Sequence, residues 1–322
     1  MDKIIIQRDI YERGRGIFSV AKFEFLPFDV SEEEKMLQAH QETKARCLII
    51  GAEKYSTQFY ESLAPGSLVL RFGVGYDHVP LDICKKRSLL VANTPGTLDH
   101  SVAEHTITLL LSCARRILAN DGAVRRGQWP ADSGIEVTGK TLAIVGLGRI
   151  GTMAARIAKH GLGMRVKAFG RTPLLDAEAS SLVDYYSTDL ASVVEAADFV
   201  SLHLSVNDQT RGIINKEVLA LMSKEAILIN TSRGQLINES DLYDALRQRV
   251  IAGAALDVFN YEPYRPVAGK DLRQLDNVIL TPHISSNTDG ANRRMSELCL
   301  RNAEAYFSNR WDELNLVREL KV

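Results

Sequence analysis

Arg233, Glu262 and His283 are the side chains of this sequence best suited to moving a proton while holding an anion. Histidine changes charge near neutrality and can give a proton to, or take one from, a reacting oxygen. A carboxylate beside it favours the imidazolium. Arginine stays protonated throughout that range, so it can hold a carboxylate or an oxyanion without competing for the proton. Each of the three stands where a buried strand should end. Arg233 lies in ILINTSRGQLIN, Glu262 follows Asp257 in AALDVFNYEP, and His283 lies in NVILTPHISSNT. The carboxyl edge of an α/β sheet is where ligands bind. Taken singly, each residue has an ordinary competitor: a hydrogen-bonded loop histidine, a salt-bridge arginine, a surface carboxylate. His78, His100, His105 and His203 read as structural or lining residues, and no metal site is expected because the histidines and carboxylates lack ligand spacing.

A second motif supplies what the three residues need beside them. In TLAIVGLGRIGTMAARIAKHG a strand from Thr141 runs into Gly146, Gly148 and Gly151 and then into an alanine-rich helix. Gly146 allows the tight turn, Gly148 lets a pyrophosphate approach the backbone, and Gly151 packs helix on strand. Arg149 and Ile150 lie in the first helical turn, whose amides face the phosphates. Strand before and helix after make this a dinucleotide fingerprint in its required context. Thr231 and Ser232, before Arg233, and Ser285 and Ser286, after His283, are taken as further cofactor-binding residues. The cofactor's identity is read roughly 20 residues beyond the fingerprint, where an acidic residue would bind the ribose hydroxyl of NAD. Here the strand MRVKAFGRTP ends instead in Gly170, Arg171 and Thr172. A guanidinium and a hydroxyl suit a 2′-phosphate, so NADP(H) is favoured over NAD(H), with use of both as the alternative.

These residues need sheets to hold them, and the sequence is built to make them. Its 322 residues fit two domains of ordinary size, and 45% hydrophobic with 25% charged residues marks a folded protein. With 39 basic and 40 acidic residues the net charge is -1, so there is no electrostatic case for nucleic acid or an anionic membrane, and the partner is expected to be a small molecule. Cys47, Cys84, Cys113 and Cys299 stand far apart, as buried thiols of a reducing cytosol do. Charge interrupts the N-terminal apolar run too early for a signal peptide, and Thr106 to Ala114 is too short to span a bilayer, so a cytoplasmic location is expected. Strands are expected at Lys3 to Ile6, Cys47 to Ile50, Leu68 to Leu70, Leu90 to Ala92, Leu142 to Val145, Arg165 to Phe169, Phe199 to Leu202, Ala226 to Ile229, Ala252 to Leu256 and Val278 to Leu280. Helix-length segments separate them, which predicts an α/β class with two doubly wound parallel sheets. Asp99 to Leu118 reads as one long buried helix, RRGQWPADSG as a loop, and SELCLRNAEAYFSNR as an amphipathic helix returning to the first domain.

The segments RFGVGYDHVPLD, VANTPGTLDHSVAEHT, GKTLAIVGLGRIG, NTSRG, LDVFNYEP and TPHIS stand in the order and approximate spacing found in the D-isomer-specific 2-hydroxyacid dehydrogenases, and the chain resembles that family over nearly its whole length. The resemblance implies a Rossmann dinucleotide-binding domain, residues 99–284, inserted in a smaller flavodoxin-like substrate domain, residues 1–98 and 285–322, with substrate in the cleft between them. It implies that His283 is the proton donor and acceptor, Glu262 its partner, and Arg233 the group that polarises a 2-oxo acid. The backbone amides of Val74 and Gly75 would meet the substrate carboxylate, and Asp257 would help place the nicotinamide. It also implies a homodimer, and reductase activity toward small 2-oxo acids such as glyoxylate or hydroxypyruvate, giving the D-2-hydroxy acid.

The chain departs from the family pattern in two places: Ser205 and Val206 stand where a proline is usual, and Ser285 and Ser286 where glycine or alanine is frequent. The loop Gly51 to Thr57 occupies the region that in the family helps choose the substrate tail, and it offers Lys54 or Tyr55 for a polar tail, with an exposed lysine as the plainer reading. Two other readings compete. One is a non-catalytic dinucleotide sensor on the same fold, which a full set of catalytic residues disfavours. The other is a dehydrogenase of a phosphorylated hydroxy acid, disfavoured because no basic cluster is evident and no regulatory domain is expected beyond Val322.

Overall fold

The computed structural model of the chain describes residues 1–130, 132–172 and 177–320. They form two compact units, one from residues 1–98 together with the chain from Asn287, the other from Asp99–Ser286.

In the first unit, five parallel strands, β1 (Lys3–Gln7), β2 (Glu24–Phe28), β3 (Cys47–Ile50), β4 (Leu68–Arg71) and β5 (Leu90–Ala92), lie in the order β2-β1-β3-β4-β5. This is the flavodoxin-like order. β3 and β4 are buried at every position, which is why they read as unbroken apolar runs. β2 was not expected from the sequence: it is an edge strand, half-buried throughout, and its Pro27 lacks a ladder donor, which an edge tolerates. The helix Asp289–Phe307 belongs to this unit and packs on β4 and on the helices Arg8–Arg13 and Arg15–Phe18.

The second unit is a seven-stranded parallel sheet. Its strands are β6 (Thr141–Val145), β7 (Arg165–Phe169), β8 (Tyr185–Ser187), β9 (Phe199–Leu202), β10 (Ile227–Asn230), β11 (Gly253–Leu256) and β12 (Val278–Leu280), in the order β12-β11-β10-β9-β6-β7-β8. Counted from β6, this is the doubly wound dinucleotide-binding order carrying one further strand, β12, at its edge. β8, the other edge, is the second strand that the sequence did not reveal.

The long helix stops earlier than expected. It spans Asp99–Ala114, Arg116 turns into the left-handed region at φ 51°, and a separate helix, Ile117–Arg125, begins after it. Consecutive exposed arginines end the buried stripe, so Ile117 and Leu118 belong to a different surface. The loop after Arg125 carries an exposed Trp129, and Ala131 lies outside the described residues. No helix among the described residues is long and apolar enough to cross a membrane.

Candidate active site

The carboxyl edge of the second unit's sheet gathers the candidate residues. At the end of β6, Gly146 has φ +106°, and a Cβ there would lie 2.8 Å from Leu204 and 2.9 Å from the His203 carbonyl. A Cβ on Gly151 would overlap the Gly146 oxygen, so helix and turn meet backbone to backbone. Gly148 is different: a Cβ there would meet open space. It is the N-cap of the helix Arg149–Arg156 and offers no side-chain cap, so the first-turn amides, including those of Arg149 and Ile150, are left for a ligand. This cradle fits the pyrophosphate of a dinucleotide. The Arg149 side chain is held by Asp99, with Nε donating to Oδ2 at 2.6 Å. His203 bonds Ser201 Oγ through Nε2 at 2.9 Å, and burial pushes it down to about 4, which keeps it neutral.

β10, β11 and β12 are successive neighbours, so the loops that follow them emerge side by side. After β10, Asn230 organises the turn: its Oδ1 accepts from the Ser232 amide at 3.0 Å and its Nδ2 donates to the Arg233 carbonyl at 2.8 Å. Thr231 is buried against Thr106, oxygen to oxygen 2.8 Å, and Ser232 Oγ donates to the Leu204 carbonyl at 2.6 Å. Arg233 Nη1 donates to the Ser232 carbonyl at 2.7 Å.

Asp257, wholly buried at the end of β11, fixes the loop after β12. Its Oδ1 accepts from Thr281 Oγ1 at 2.6 Å and from the Ile284 amide at 2.9 Å, and its Oδ2 from the Ser285 amide at 2.8 Å. Burial alone would raise this carboxyl; the His105 contact, Thr281 and the two amides outweigh it and hold the group at about 2. Between those anchors His283 takes φ +54°, with its amide donating to the Asp257 carbonyl at 2.8 Å. The result is a short contact, 2.6 Å from His283 Nδ1 to Glu262 Oε2. The other Glu262 oxygen accepts from the Phe259 amide at 2.9 Å. Burial opposes ionisation of Glu262, but His283, the Phe259 amide and the Arg233 charge prevail and lower its carboxyl below the usual range. Nδ1 is thus committed to Glu262, while Nε2 has no protein partner among the described residues.

The remaining candidates are placed as follows. Arg171 and Thr172 are exposed beyond β7; Arg171 Nη1 lies 3.5 Å from Gln209 Oε1, and the Thr172 carbonyl accepts from Tyr186 at 2.5 Å. Ser286 is half-buried and Ser205 exposed. In the first unit, the turn after β4 is fixed by Thr94, whose Oγ1 accepts from the Gly73 amide at 2.9 Å, and by Asn93, whose Nδ2 donates to the Val74 carbonyl at 2.7 Å. The amides of Val74 and Gly75 donate to no protein group among the described residues. Lys54 is exposed and Tyr55 buried.

Comparison with known proteins meets this geometry directly. The family model for the D-isomer specific 2-hydroxyacid dehydrogenase NAD binding domain matches residues 107–285. The chain belongs to the D-isomer specific 2-hydroxyacid dehydrogenase family. The glyoxylate reductase of Pyrococcus furiosus is 36% identical over 316 residues, covering 94% of this chain and 92% of that protein. That of Thermococcus litoralis is 35% identical over 319 residues, covering 94% and 93%. Among solved structures, the NADPH-dependent glyoxylate/hydroxypyruvate reductase of Sinorhizobium meliloti, in complex with NADP and malonate, is 29% identical with a TM-score of 0.81, covering 95% of this chain and 94% of that one.

In this dehydrogenase two further residues stand beside the site. His105, one of the histidines that read as structural or lining, has its Nε2 3.6 Å from Asp257 Oδ1 and 3.4 Å from Thr281 Oγ1. Glu239, which the sequence reading does not single out, is buried and accepts from the Asn260 amide in the loop that carries Glu262. Its only sequence signal was its position six residues after Arg233 in RGQLINE.

Proposed function

We propose that this member of the family is an NADP(H)-preferring reductase of small 2-oxo acids, glyoxylate or hydroxypyruvate, yielding the D-2-hydroxy acid. The observation that carries the reading is the 2.6 Å contact between His283 and Glu262 in the same unit as the glycine cradle. A bound nicotinamide dinucleotide supplies the hydride. The chain's own residues do the rest. His283, with Nδ1 on Glu262, gives the proton from Nε2 to the carbonyl oxygen, and Glu262 stabilises the imidazolium that holds it. Arg233 holds the substrate carboxylate and offsets charge developing on the carbonyl oxygen. Asp257 helps place the nicotinamide end, with Thr231, Ser232, Ser285 and Ser286 along the cofactor. The unpartnered amides of Val74 and Gly75 make the turn after β4 a carboxylate-binding loop.

The names of the relatives support a glyoxylate-class substrate, and the NADP in the Sinorhizobium meliloti complex supports a phosphorylated cofactor. Arg171 and Thr172 are the residues proposed to take the 2′-phosphate. A panel of 2-oxo acids assayed with NADPH and NADH tests both statements: turnover strongest with glyoxylate or hydroxypyruvate and NADPH is expected, and an absence of turnover with all of them refutes the reading. We propose further that the protein is a homodimer. Ile117 and Leu118, each more than half exposed, and Trp129, 87% exposed, are apolar side chains open to such a contact. A monomeric mass by light scattering would refute that.

A further inference from the structure

Glu239 opens the helix Glu239–Arg247, but the helix does not need it as a cap, because the Asn238 side chain already accepts from the Ser240 and Asp241 amides. The Glu239 side chain instead turns inward. It is only 7% exposed, and its Oε1 accepts from the Asn260 amide at 2.6 Å. No cation is paired with it among the described residues. Burial and the neighbouring charge of Glu262 both push its carboxyl up, and the Asn260 contacts pull it down. A carboxylate kept in a place that disfavours its charge needs a reason beyond helix propensity.

The peptide it grips supplies that reason. The amide one residue earlier, Phe259 N–H, is the donor to Glu262 Oε1 at 2.9 Å. The Asn260 carbonyl accepts from Gln235 Nε2 at 3.3 Å. Gly234 lies against the same peptide so closely that a Cβ on it would overlap the Phe259 carbonyl. The segment from Gly234 to Glu239, which directly follows Arg233, therefore holds the backbone around Phe259 and Asn260 at three points, two on the peptide between them and one on the Asn260 carbonyl of the next. Movement of that stretch of backbone would displace the adjoining Phe259 amide, the donor to Glu262, and loosen Glu262 from His283.

We propose that Glu239 is a positioning residue for the Glu262 and His283 pair, acting through its hydrogen bond to the Asn260 amide. The proposal rests on the catalytic reading given above. The charged and titratable groups that face this arrangement are Glu262 and Tyr264 toward Glu239, with Lys270 further along the helix at Ser240 Oγ, 2.8 Å, and Asp244, and Glu262 and Arg233 toward His283.

The test compares the full chain with its Glu239→Ala, Glu239→Gln and Glu262→Gln variants, reducing glyoxylate with NADPH across pH. Glu239→Ala removes the acceptor. Its kcat should fall about tenfold or more, as a misplaced catalytic group requires, with the KM for NADPH unchanged and the alkaline limb of kcat/KM moved to lower pH, in the direction given by Glu262→Gln. Glu239→Gln retains an acceptor for Asn260 N–H and should restore both kcat and the limb toward wild type. Wild-type kcat and limb in Glu239→Ala, or a Glu239→Gln as impaired as the alanine variant, would overturn the proposal. Should Glu239→Ala fail to fold, Glu239→Asp carries the test: with the charge kept and the acceptor withdrawn by a methylene, it must lower kcat and move the limb, and wild-type values overturn the proposal. Failure of the underlying reading is distinct, since then the wild-type protein reduces no 2-oxo acid or the limb of Glu262→Gln stays in place.

Discussion

Replacing Glu262 by glutamine should lower kcat/KM for reduction about tenfold and move its alkaline limb to lower pH. The substitution keeps a hydrogen-bonding group 2.6 Å from His283 Nδ1 but removes the charge. A hydrogen bond to a charged group is worth about 1.5 to 3 kcal/mol. The two side chains are 33% and 36% exposed, so solvent screening places the pair at the lower end of that range. At 1.36 kcal/mol per tenfold in rate, about 1.5 kcal/mol corresponds to about tenfold. The sign follows from the proton. Reduction needs a proton on the ring, and Glu262 supplies the charge-assisted hydrogen bond that favours that form. Oxidation of the hydroxy acid uses the neutral ring and should suffer less. Because His283 and Arg233 help lower the Glu262 carboxyl, the coupling persists in the wild type until pH falls through that lowered value, and the two profiles should converge only at the acid end. The assay is a pH series of initial rates in both directions, with a deuteride isotope effect to confirm that chemistry limits the rate. A limb that stays at the wild-type position under that condition refutes the pairing.

His283→Ala should lower kcat in both directions by roughly 10² to 10⁴-fold, measured at saturating substrate, since it removes both acid and base. Arg171→Ala should erase most of a roughly tenfold or greater preference for NADPH, the effect of one charge-assisted contact, and leave NADH turnover almost unchanged; equal kcat/KM with both cofactors in the wild type would show that no such contact exists. Asp257→Asn should destabilise the fold at pH 7 by about 2 kcal/mol, from a carboxyl held near 2 instead of 3.8, at 1.36 kcal/mol per unit. Because the folded carboxyl is depressed, that contribution is present above the unfolded value and fades as pH falls from about 4 toward 2; urea denaturation at several pH values checks it, and a gap between wild type and variant that does not narrow on acidification would contradict it.

Strands buried on both faces announce themselves in this sequence, because burial forces an unbroken apolar run, as in CLII of β3 and LAIV within β6. Two of the four edge strands do not, whereas the other two, β5 and β12, still show as apolar runs. EFLPF in β2 and YYS in β8 are half-exposed for most of their length, so neither carries that signal, and only pairing with β1 and β7 makes them strands. The end of the helix at Ala114 was obscured by Ile117 and Leu118, whose apolar character continues the pattern although the backbone reverses at Arg116. Arg233, Glu262 and His283 were legible as candidates because each is a polar residue that follows an apolar run, fully buried in β10 and β11 and half-buried in the edge strand β12. Glu239 was not, because its partner, the backbone amide of Asn260, comes to it only through the folding of a distant segment; the partner of His105, Asp257, was hidden for the same reason.

The discontinuity of the first unit has a consequence for how the protein is made. All five of its strands leave the ribosome before the second unit begins, yet the helix Asp289–Phe307, whose Met295, Cys299, Ala303 and Tyr306 are buried in the finished fold, is translated only after the second unit is complete. For the whole of that interval the nascent chain carries an apolar sheet face with its cover missing. The second unit, continuous in sequence, can close at once. Vectorial synthesis therefore reverses the order in which the two units reach their native state, and the earliest residues of the chain are the ones exposed longest to chaperones and to misassociation.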